Sequence, residues 1–284
     1  MKRILCLIAL IPTLTIAQNR LNLTLSGGFA NYYGDVQSKP LTLDQAHGAL
    51  GLGLKYDFTD HFAIKGGLFY ASLSADDKYN KASLRPRNLN FHTKLLEFNL
   101  MGEYALFSLQ DKRFTPYAFA GLAVFRFNPY TFDSTGAKYY LQPLGTEGQG
   151  LSTYPNRKPY SRSGLAIPFG AGLRLRVSEK VTLAYEFSLR KTFTDYLDDV
   201  STTYVDPTVL AAERGPKAVE LSYRGGELKN GNPAYPGEGT LRGSADSKDW
   251  YYFSGITVTI GIGNMLIGGG KGRISCPPPT RAGY

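Results

Sequence analysis

The sequence predicts an all-β fold, an eight-stranded antiparallel transmembrane β-barrel with short periplasmic turns and long extracellular loops. Turn signals divide the chain into eight apolar segments of roughly ten residues each, which is the length of a tilted membrane-crossing strand. The connections between them are alternately short and long, as in bacterial outer-membrane barrels. After the N-terminal region, no apolar run reaches the roughly 18 residues of a spanning helix.

The predicted strands are joined by three short connections and four long loops. The second and third are separated only by Thr59, Asp60 and His61, the fourth and fifth by residues 108–114, and the sixth and seventh by residues 178–180. The long loops cover residues 34–48, 74–93, 128–163 and 192–249. In chain order the predicted strands are residues 21–32, 49–58, 62–73, 94–107, 115–127, 164–177, 181–191 and 250–262.

The N-terminus predicts export. Lys2 and Arg3 precede an apolar run over residues 4–16 that ends in the small residue Ala17, the layout of a cleaved secretory signal. We therefore predict a signal peptide at residues 1–17, a barrel at 18–262 and a flexible periplasmic tail at 263–284. An even number of strands places both termini in the periplasm, and the barrel in the cell outer membrane.

Alternation assigns charged side chains to the barrel interior. In the sixth and seventh segments every second residue is apolar, and the other face carries small or charged residues. An eight-stranded barrel is only wide enough for side chains to fill it, so we expect these charges to pair and plug the lumen. The predicted lumen residues are Lys55, Asp57, Lys65, Glu97, Glu103, Arg174, Arg176, Glu186 and Arg190, with Arg126 assigned to the same face.

Aromatic residues gather near the ends of the segments. Girdles of aromatic side chains at the two bilayer interfaces would account for this placement. For each single residue, an ordinary core position is the alternative. The aromatic residues in question are Tyr32, Tyr33, Tyr56, Phe58, Phe107, Tyr117, Phe125, Phe127, Phe193, Tyr196, Trp250, Tyr251 and Tyr252.

Four stretches resemble the PorG-type outer-membrane barrels. They are RFTPYAFAGLAVFRFNP at 113–129, LQPLGTEGQG at 141–150, IPFG at 167–170 and RKTFTDYLDDVSTTY at 190–204. The resemblance implies a non-enzymatic component of the type IX secretion system that anchors or helps assemble a periplasmic ring built by the PorK lipoprotein and PorN. The fourth stretch contains the family-motif loop Thr192, Phe193, Thr194, Asp195, Tyr196, Asp198 and Asp199.

A lipid-modifying enzyme and a small-solute channel are the alternatives. Hydrolysis needs a nucleophile beside a histidine base and an orienting carboxylate, and no recognisable pairing of that kind surrounds His47, His61 or His92 in the sequence. We therefore predict no catalytic residues. No cofactor is predicted either, because the glycines near Lys271 lack the spacing of a phosphate-binding loop.

Acidic residues cluster at the start of the longest loop. Asp195, Asp198, Asp199 and Asp206 could hold calcium, but their spacing does not fit the twelve-residue calcium loop. Loop-internal hydrogen bonds, or ion pairs with Arg190, Lys191 or Arg214, are the alternative that we favour. No metal ligand is therefore predicted.

The formal charge of +9 suggests anionic partners. No nucleic-acid recognition motif accompanies this charge, so nucleic acid is not a predicted partner. Loop cations are expected either to face the phosphates of lipopolysaccharide or to lie on a solvated loop surface. They are Lys78, Lys81, Arg85, Arg87, Arg157, Lys158 and Arg162.

One cysteine remains after removal of the signal peptide. Cys276 precedes three prolines in the predicted tail, where it has no intramolecular partner. An unpaired cysteine in an oxidising compartment suggests an intermolecular disulfide or a free thiol. Cys276 is therefore the candidate partner contact.

Overall fold

The computed structural model describes residues 20–262, which form a closed antiparallel barrel of eight long strands. The predicted fold class is confirmed, and each predicted strand overlaps an observed one. The long strands are β1 (Leu21–Tyr33), β2 (His47–Asp57), β3 (Phe62–Asp76), β4 (Asn90–Ala105), β5 (Phe114–Arg126), β8 (Ser163–Arg176), β9 (Val181–Thr192) and β10 (Trp250–Gly261), with a short hairpin of β6 (Tyr130–Phe132) and β7 (Lys138–Tyr140).

Neighbouring long strands pair in chain order, and the first pairs with the last. β1 lies between β2 and β10, with Leu23 opposite both Leu54 and Ile260. Pairing of β3 with β4 closes the barrel, so each of the eight strands pairs with a neighbouring strand on both sides. Closure satisfies backbone hydrogen bonds that lipid could not satisfy.

The two ends of the barrel differ. The connections 58–61, 106–113 and 177–180 lie at one end, which we call the turn end. The connections 34–46, 77–89, 127–162 and 193–249 lie at the opposite, loop end. Both ends of the described chain meet at the turn end, where the Ile262 amide donates to the Leu21 carbonyl over 3.0 Å. The predicted signal peptide, the predicted tail and Cys276 lie outside the described residues.

The wall separates apolar from charged side chains. On β4, Leu96, Phe98 and Leu100 are about half exposed on the outside, at 52, 55 and 53%. Glu97 and Asn99, which alternate with them, are 0 and 5% exposed inside. An apolar exterior around a charged interior is the pattern of a transmembrane barrel. Among residues 20–262, no helix is long and apolar enough to cross a bilayer.

Several predicted girdle aromatics point into the barrel instead. Tyr117, Phe125 and Tyr251 are each at most 3% exposed because they occupy inward positions of their strands. Tyr32 and Phe127 are also buried, in the apolar cluster that fills the loop end. For these five residues the girdle interpretation is therefore wrong and the core alternative holds. That interpretation used only the position of each residue near a strand end and did not consider which face of the strand the residue lies on.

The longest connection contains two helices where the sequence predicts a loop. They are α1 (Pro207–Arg214) and α2 (Pro216–Ser222). The Asp206 carboxylate caps α1 by accepting from the amides of Thr208 and Val209 over 2.7 and 3.1 Å. An aspartate followed by proline is a recognised helix start, and it was available in the sequence.

The connection 34–46 folds back over the outside of the wall. Asn31 on β1 and Tyr252 on β10 face outward, yet they are only 0 and 6% exposed. The Thr42 carbonyl accepts hydrogen bonds from both side chains, over 2.5 Å from Asn31 and 2.6 Å from Tyr252. The Thr42 amide donates to the Tyr252 hydroxyl over 3.0 Å. The first connection is therefore fastened across the pairing of the first and last strands.

Candidate functional site

A network of three cations and three carboxylates fills the lumen toward the turn end. Glu103 lies at its centre, 2.7 Å from Arg174, 3.2 Å from Lys65 and 3.7 Å from Lys55. Lys65 also contacts Glu186 over 3.0 Å. Lys55 contacts Asp57 over 2.8 Å. Because the charges are equal in number, this network carries no net charge, which reduces the electrostatic cost of burying it.

A second, smaller network lies nearer the loop end. Glu97 accepts from Arg190 over 3.3 Å, from the Tyr251 hydroxyl over 2.5 Å and from the Asn99 amide over 2.6 Å. The Arg190 guanidinium also lies 4.5 Å from the centre of the Phe69 ring. Aromatic and aliphatic side chains fill the lumen beyond this point. From the turn end to the loop end, the barrel interior therefore holds the first charge network, then the second, and then the apolar cluster.

Eight of the predicted lumen residues take part in these two networks, and two do not. Arg176 is only half-buried and forms no ion pair within residues 20–262. Arg126 is exposed on the outer wall because it follows the inward-facing Phe125. Its assignment to the lumen is wrong. Tyr117, which is not among the predicted lumen residues, also belongs to the network, where its hydroxyl donates to Glu186 over 2.6 Å.

A small cavity remains between the two networks. Its volume is about 40 Å³, and its walls include Lys65, Glu186, Arg190 and Asn99. Glycines at positions 51, 53 and 67 also line it. The cavity is large enough to hold water.

The long connections pack over the loop end as a cap with a buried polar centre. Arg242 lies there 3.1 Å from Glu147 and 3.8 Å from Asp199, and all three side chains are at most 1% exposed. Glu147 also accepts from the amides of Ser201 and Thr202 over 2.9 and 3.0 Å. These contacts join the connection 127–162 to two separate parts of the connection 193–249. Arg242 was missed because nothing near it in the sequence marks a partner 95 residues away.

The family-motif loop supplies two further buried carboxylates of the cap, Asp195 and Asp198. The Tyr32 hydroxyl lies 2.5 Å from Asp198 and 2.7 Å from Asp249, so it joins the barrel to the cap. Burial raises the pKa of both Asp198 and Asp249 well above the ordinary range. It raises the pKa of Asp195 to about 7 and that of Asp199 to about 6.

The other residues of the family-motif loop have structural contacts. The Thr192 hydroxyl donates to the Asp249 carbonyl over 2.6 Å, and the Thr194 carbonyl accepts from the Asp249 amide over 3.0 Å. The Tyr196 ring stacks on Tyr160 with 4.4 Å between ring centres. Phe193 is exposed on the outside. The motif therefore fastens the start of the connection 193–249 to its end.

The four predicted carboxylates do not converge on one point. Asp206 caps α1, Asp199 lies beside Arg242, and Asp195 accepts from the Ser201 hydroxyl over 2.7 Å. The pairing predicted with Arg190, Lys191 or Arg214 is wrong, because Arg190 points into the lumen and the ion pair is made by Arg242. Within residues 20–262, no group of three or more histidine, cysteine or acidic side chains is arranged to hold a metal ion.

The histidines lie near the ends of the strands. His47 Nε2 lies 2.5 Å from the Ser74 hydroxyl, a pairing that the sequence did not suggest because the two residues are on different strands. Among the hydrogen bonds of residues 20–262, none joins a carboxylate to the His47 ring. His92 stacks on Tyr130, and His61 hydrogen-bonds the Ala105 carbonyl.

Comparison with known proteins identifies the family. A family model described as a domain of unknown function, DUF6089, matches residues 1–211. The chain belongs to the DUF6089 family. No curated protein matches it. The match covers β1 to β9 and both carboxylates that contact Arg242, although Arg242 itself follows the matched region.

Several solved outer-membrane proteins resemble this DUF6089 barrel at low identity. Neisserial surface protein A is 9% identical with a TM-score of 0.42, covering 85% of this chain and 96% of its own. A major outer-membrane protein from Thermus thermophilus is 11% identical with a TM-score of 0.40, covering 84 and 98%. OprG from Pseudomonas aeruginosa is 13% identical with a TM-score of 0.36, covering 86 and 97%. Such distant likeness carries no information about function.

The buried carboxylates make the stability of the DUF6089 cap depend on pH. The pKa values of Asp195 and Asp199, about 7 and about 6, exceed the roughly 3.9 of an unfolded aspartate. The folded cap therefore binds protons more tightly than the unfolded cap. The stability that Asp195 and Asp199 contribute to the cap is fully present below about pH 4 and is lost as the pH rises through 6 and 7.

We expect amide exchange in the cap, corrected for the intrinsic rate, to be slower at pH 5 than at pH 8. The variant Asp195→Asn retains an oxygen for the Ser201 hydroxyl but cannot ionise, so its difference between the two pH values is expected to be smaller. The exposed Asp246→Asn is the matched control and should behave as the wild type. Equal protection of the wild-type cap at both pH values would contradict the prediction.

Proposed function

We propose that this protein is a non-enzymatic outer-membrane barrel that anchors or helps assemble the periplasmic ring of a type IX protein secretion system. The observation that carries the proposal is the filled lumen. A barrel whose interior holds two paired charge networks and an apolar cluster is suited to anchoring. The secretion assignment itself rests on the resemblance of the four sequence stretches to PorG-type barrels.

The arrangement of the ends supports the same proposal. We place the turn end in the periplasm and the loop end outside, as is usual for barrels with short and long connections. Residues 263–284 continue from Ile262 at the turn end, so the proposed position of the tail is the periplasm. PorK-type and PorN-type ring proteins are the partners that we propose there, with Cys276 as the candidate contact.

Copurification tests this proposal. We expect PorK-type and PorN-type proteins to copurify with the detergent-extracted full chain, and secretion to fail in a deletion strain. A chain ending at Ile262 should still form the barrel but recover less of the ring. Cys276→Ser separates a disulfide from a non-covalent contact, because only a disulfide would give a band on non-reducing gels that this variant lacks. Normal secretion in the deletion strain would contradict the proposal.

A small-solute channel is the second candidate, and the cavity of about 40 Å³ in the lumen is the observation that favours it. For conduction, the charge networks on either side of the cavity would have to rearrange. Planar bilayer recordings distinguish the two candidates. An anchor is expected to show no unitary conductance, whereas discrete conductance steps with the wild-type protein would favour the channel.

The hydrogen bond between Ser74 and His47 gives the lipid-modifying alternative a test of its own. We propose that this pair is structural, since Ser74 is only 7% exposed and a third catalytic partner is needed to orient the histidine. Incubation with lipid A should release no fatty acid. Release that disappears in Ser74→Ala would overturn the non-enzymatic proposal.

A further inference from the structure

The outer wall carries an apolar groove below a pair of cations near the loop end. The groove has a volume of about 460 Å³ and lies across β3, β4, β5 and β8. Arg126 and Ser163, which are paired across β5 and β8, border it on the side of the loop end. The apolar side chains that line the groove are Leu68, Leu96, Phe98, Val124 and Leu165.

A second cation stands beside Arg126. Leu96 is directly opposite Arg126 in the pairing of β4 with β5, and Lys94 is the next outward residue of β4 toward the loop end. Such diagonal neighbours lie about 7–8 Å apart. Both cations are exposed, and neither forms an ion pair with another residue in 20–262.

This arrangement differs from that of the cations in the lumen. The lumen cations Lys55, Lys65 and Arg174 are each beside a carboxylate, whereas Arg126 and Lys94 stand on the lipid-facing wall directly above apolar side chains. Cations at that depth are favourable when they meet the anionic headgroups of the bilayer. Their guanidinium and ammonium groups are donors suited to phosphate.

We infer that this groove binds the phosphorylated lipid A portion of lipopolysaccharide, with a phosphate on Arg126 and Lys94 and an acyl chain against Val124 and Leu165. The inference uses the placement of the loop end at the outer leaflet made under Proposed function. A phosphorylated, multiply acylated glycolipid matches both halves of the site, the paired cations and the apolar groove below them. Lipid that merely surrounds the barrel would need only the apolar half.

Lipid binding in detergent tests the inference without reference to secretion. The delipidated full-length protein would be titrated with lipid A, with dephosphorylated lipid A and with inorganic phosphate, and bound species counted by native mass spectrometry. We expect lipid A to bind as a discrete adduct, and dephosphorylated lipid A to bind about tenfold more weakly, because charge-assisted hydrogen bonds are lost. Inorganic phosphate alone should neither bind nor compete at equal concentration, since it lacks the acyl chains.

Two variants test the two halves of the site. Lys94→Gln with Arg126→Gln should weaken lipid A binding about tenfold or more, and Val124→Trp should weaken it by filling the groove. Lys229→Gln, which removes an exposed cation from the connection 193–249, is the matched control and should bind as the wild type. All four residues are exposed, so folding should be retained, and circular dichroism would verify it.

Unchanged binding in the double variant, or equal binding of lipid A and its dephosphorylated form, would overturn the inference. Effective competition by inorganic phosphate would also overturn it, because it would indicate a simple anion site. Loss of secretion in a variant that still binds lipid A would not contradict this inference. It would bear only on the proposed function.

Discussion

Replacing Glu103 with alanine is expected to destabilise the barrel by about 3–5 kcal/mol, because it leaves buried cations without their common partner. Glu103 is 4% exposed and lies within 4 Å of Lys55, Lys65 and Arg174. Asp57 and Glu186 remain to neutralise the two lysines. Arg174, whose described ion pair is with Glu103, has no such second carboxylate.

Urea unfolding in detergent micelles measures this loss. Trp250 is the single tryptophan of the chain and lies on β10, so its fluorescence reports unfolding of the barrel wall. Glu179→Ala, in the exposed connection 177–180, is the control and should change the free energy of unfolding by less than about 0.5 kcal/mol.

A double variant distinguishes charge imbalance from loss of packing. Glu103→Leu combined with Arg174→Leu removes one charge of each sign and leaves two lysines with two carboxylates. It should recover much of the stability that Glu103→Ala loses, as replacement of buried pairs by apolar residues often does. A free energy of unfolding for Glu103→Ala equal to that of the Glu179→Ala control would show that the network does not hold the lumen together.

Replacing Arg242 with methionine is expected to open the cap while leaving the barrel folded. Arg242 contacts Glu147 and Asp199 and donates to the carbonyls of Asp199 and Ser222. Its loss leaves two buried carboxylates without a cation, at a cost of about 3–5 kcal/mol. Because these contacts join the long connections to each other and not the barrel strands, the effect should be local.

Hydrogen exchange resolves the cap from the barrel. In Arg242→Met we expect faster amide exchange over residues 193–249 and faster proteolysis of that connection, with unchanged exchange in β4 and β5. Lys229→Met removes an exposed cation from the same connection and should show neither change. Exchange that accelerates equally in the strands would mean that cap and barrel unfold as one unit.

The strands of this protein could be predicted closely because each one carries its own local information. Along β8 and β9, alternation of residues such as Leu173 with Arg174 specifies both the strand and its inward face. The prediction failed where it assigned a residue by its large aromatic ring and not by the alternation of the strand faces. Tyr117 and Tyr251 were assigned to girdles for their aromatic rings, although their positions in the strand place them inside with Glu186 and Glu97.

The cap could not be predicted to the same degree because its contacts are between residues far apart in sequence. Asp195 to Asp199 form a cluster in the sequence, but the cation beside Asp199 is Arg242, and Asp198 accepts hydrogen bonds from Tyr32 and Val36 at the other end of the chain. No periodicity links such positions. The hydrogen bond between Ser74 and His47 could not be predicted either, because the two residues lie on different strands.

The fastening of Thr42 to both Asn31 and Tyr252 bears on the order of assembly. Thr42 and Tyr252 are 210 residues apart, so their hydrogen bonds require the first strand and the last strand to have met. Contacts of such long range carry the largest loop-closure cost and form late unless other contacts bring their ends together. Once formed, the connection 34–46 lies across the junction of β1 and β10. It therefore opposes sideways opening of the finished barrel into the membrane at its closing seam.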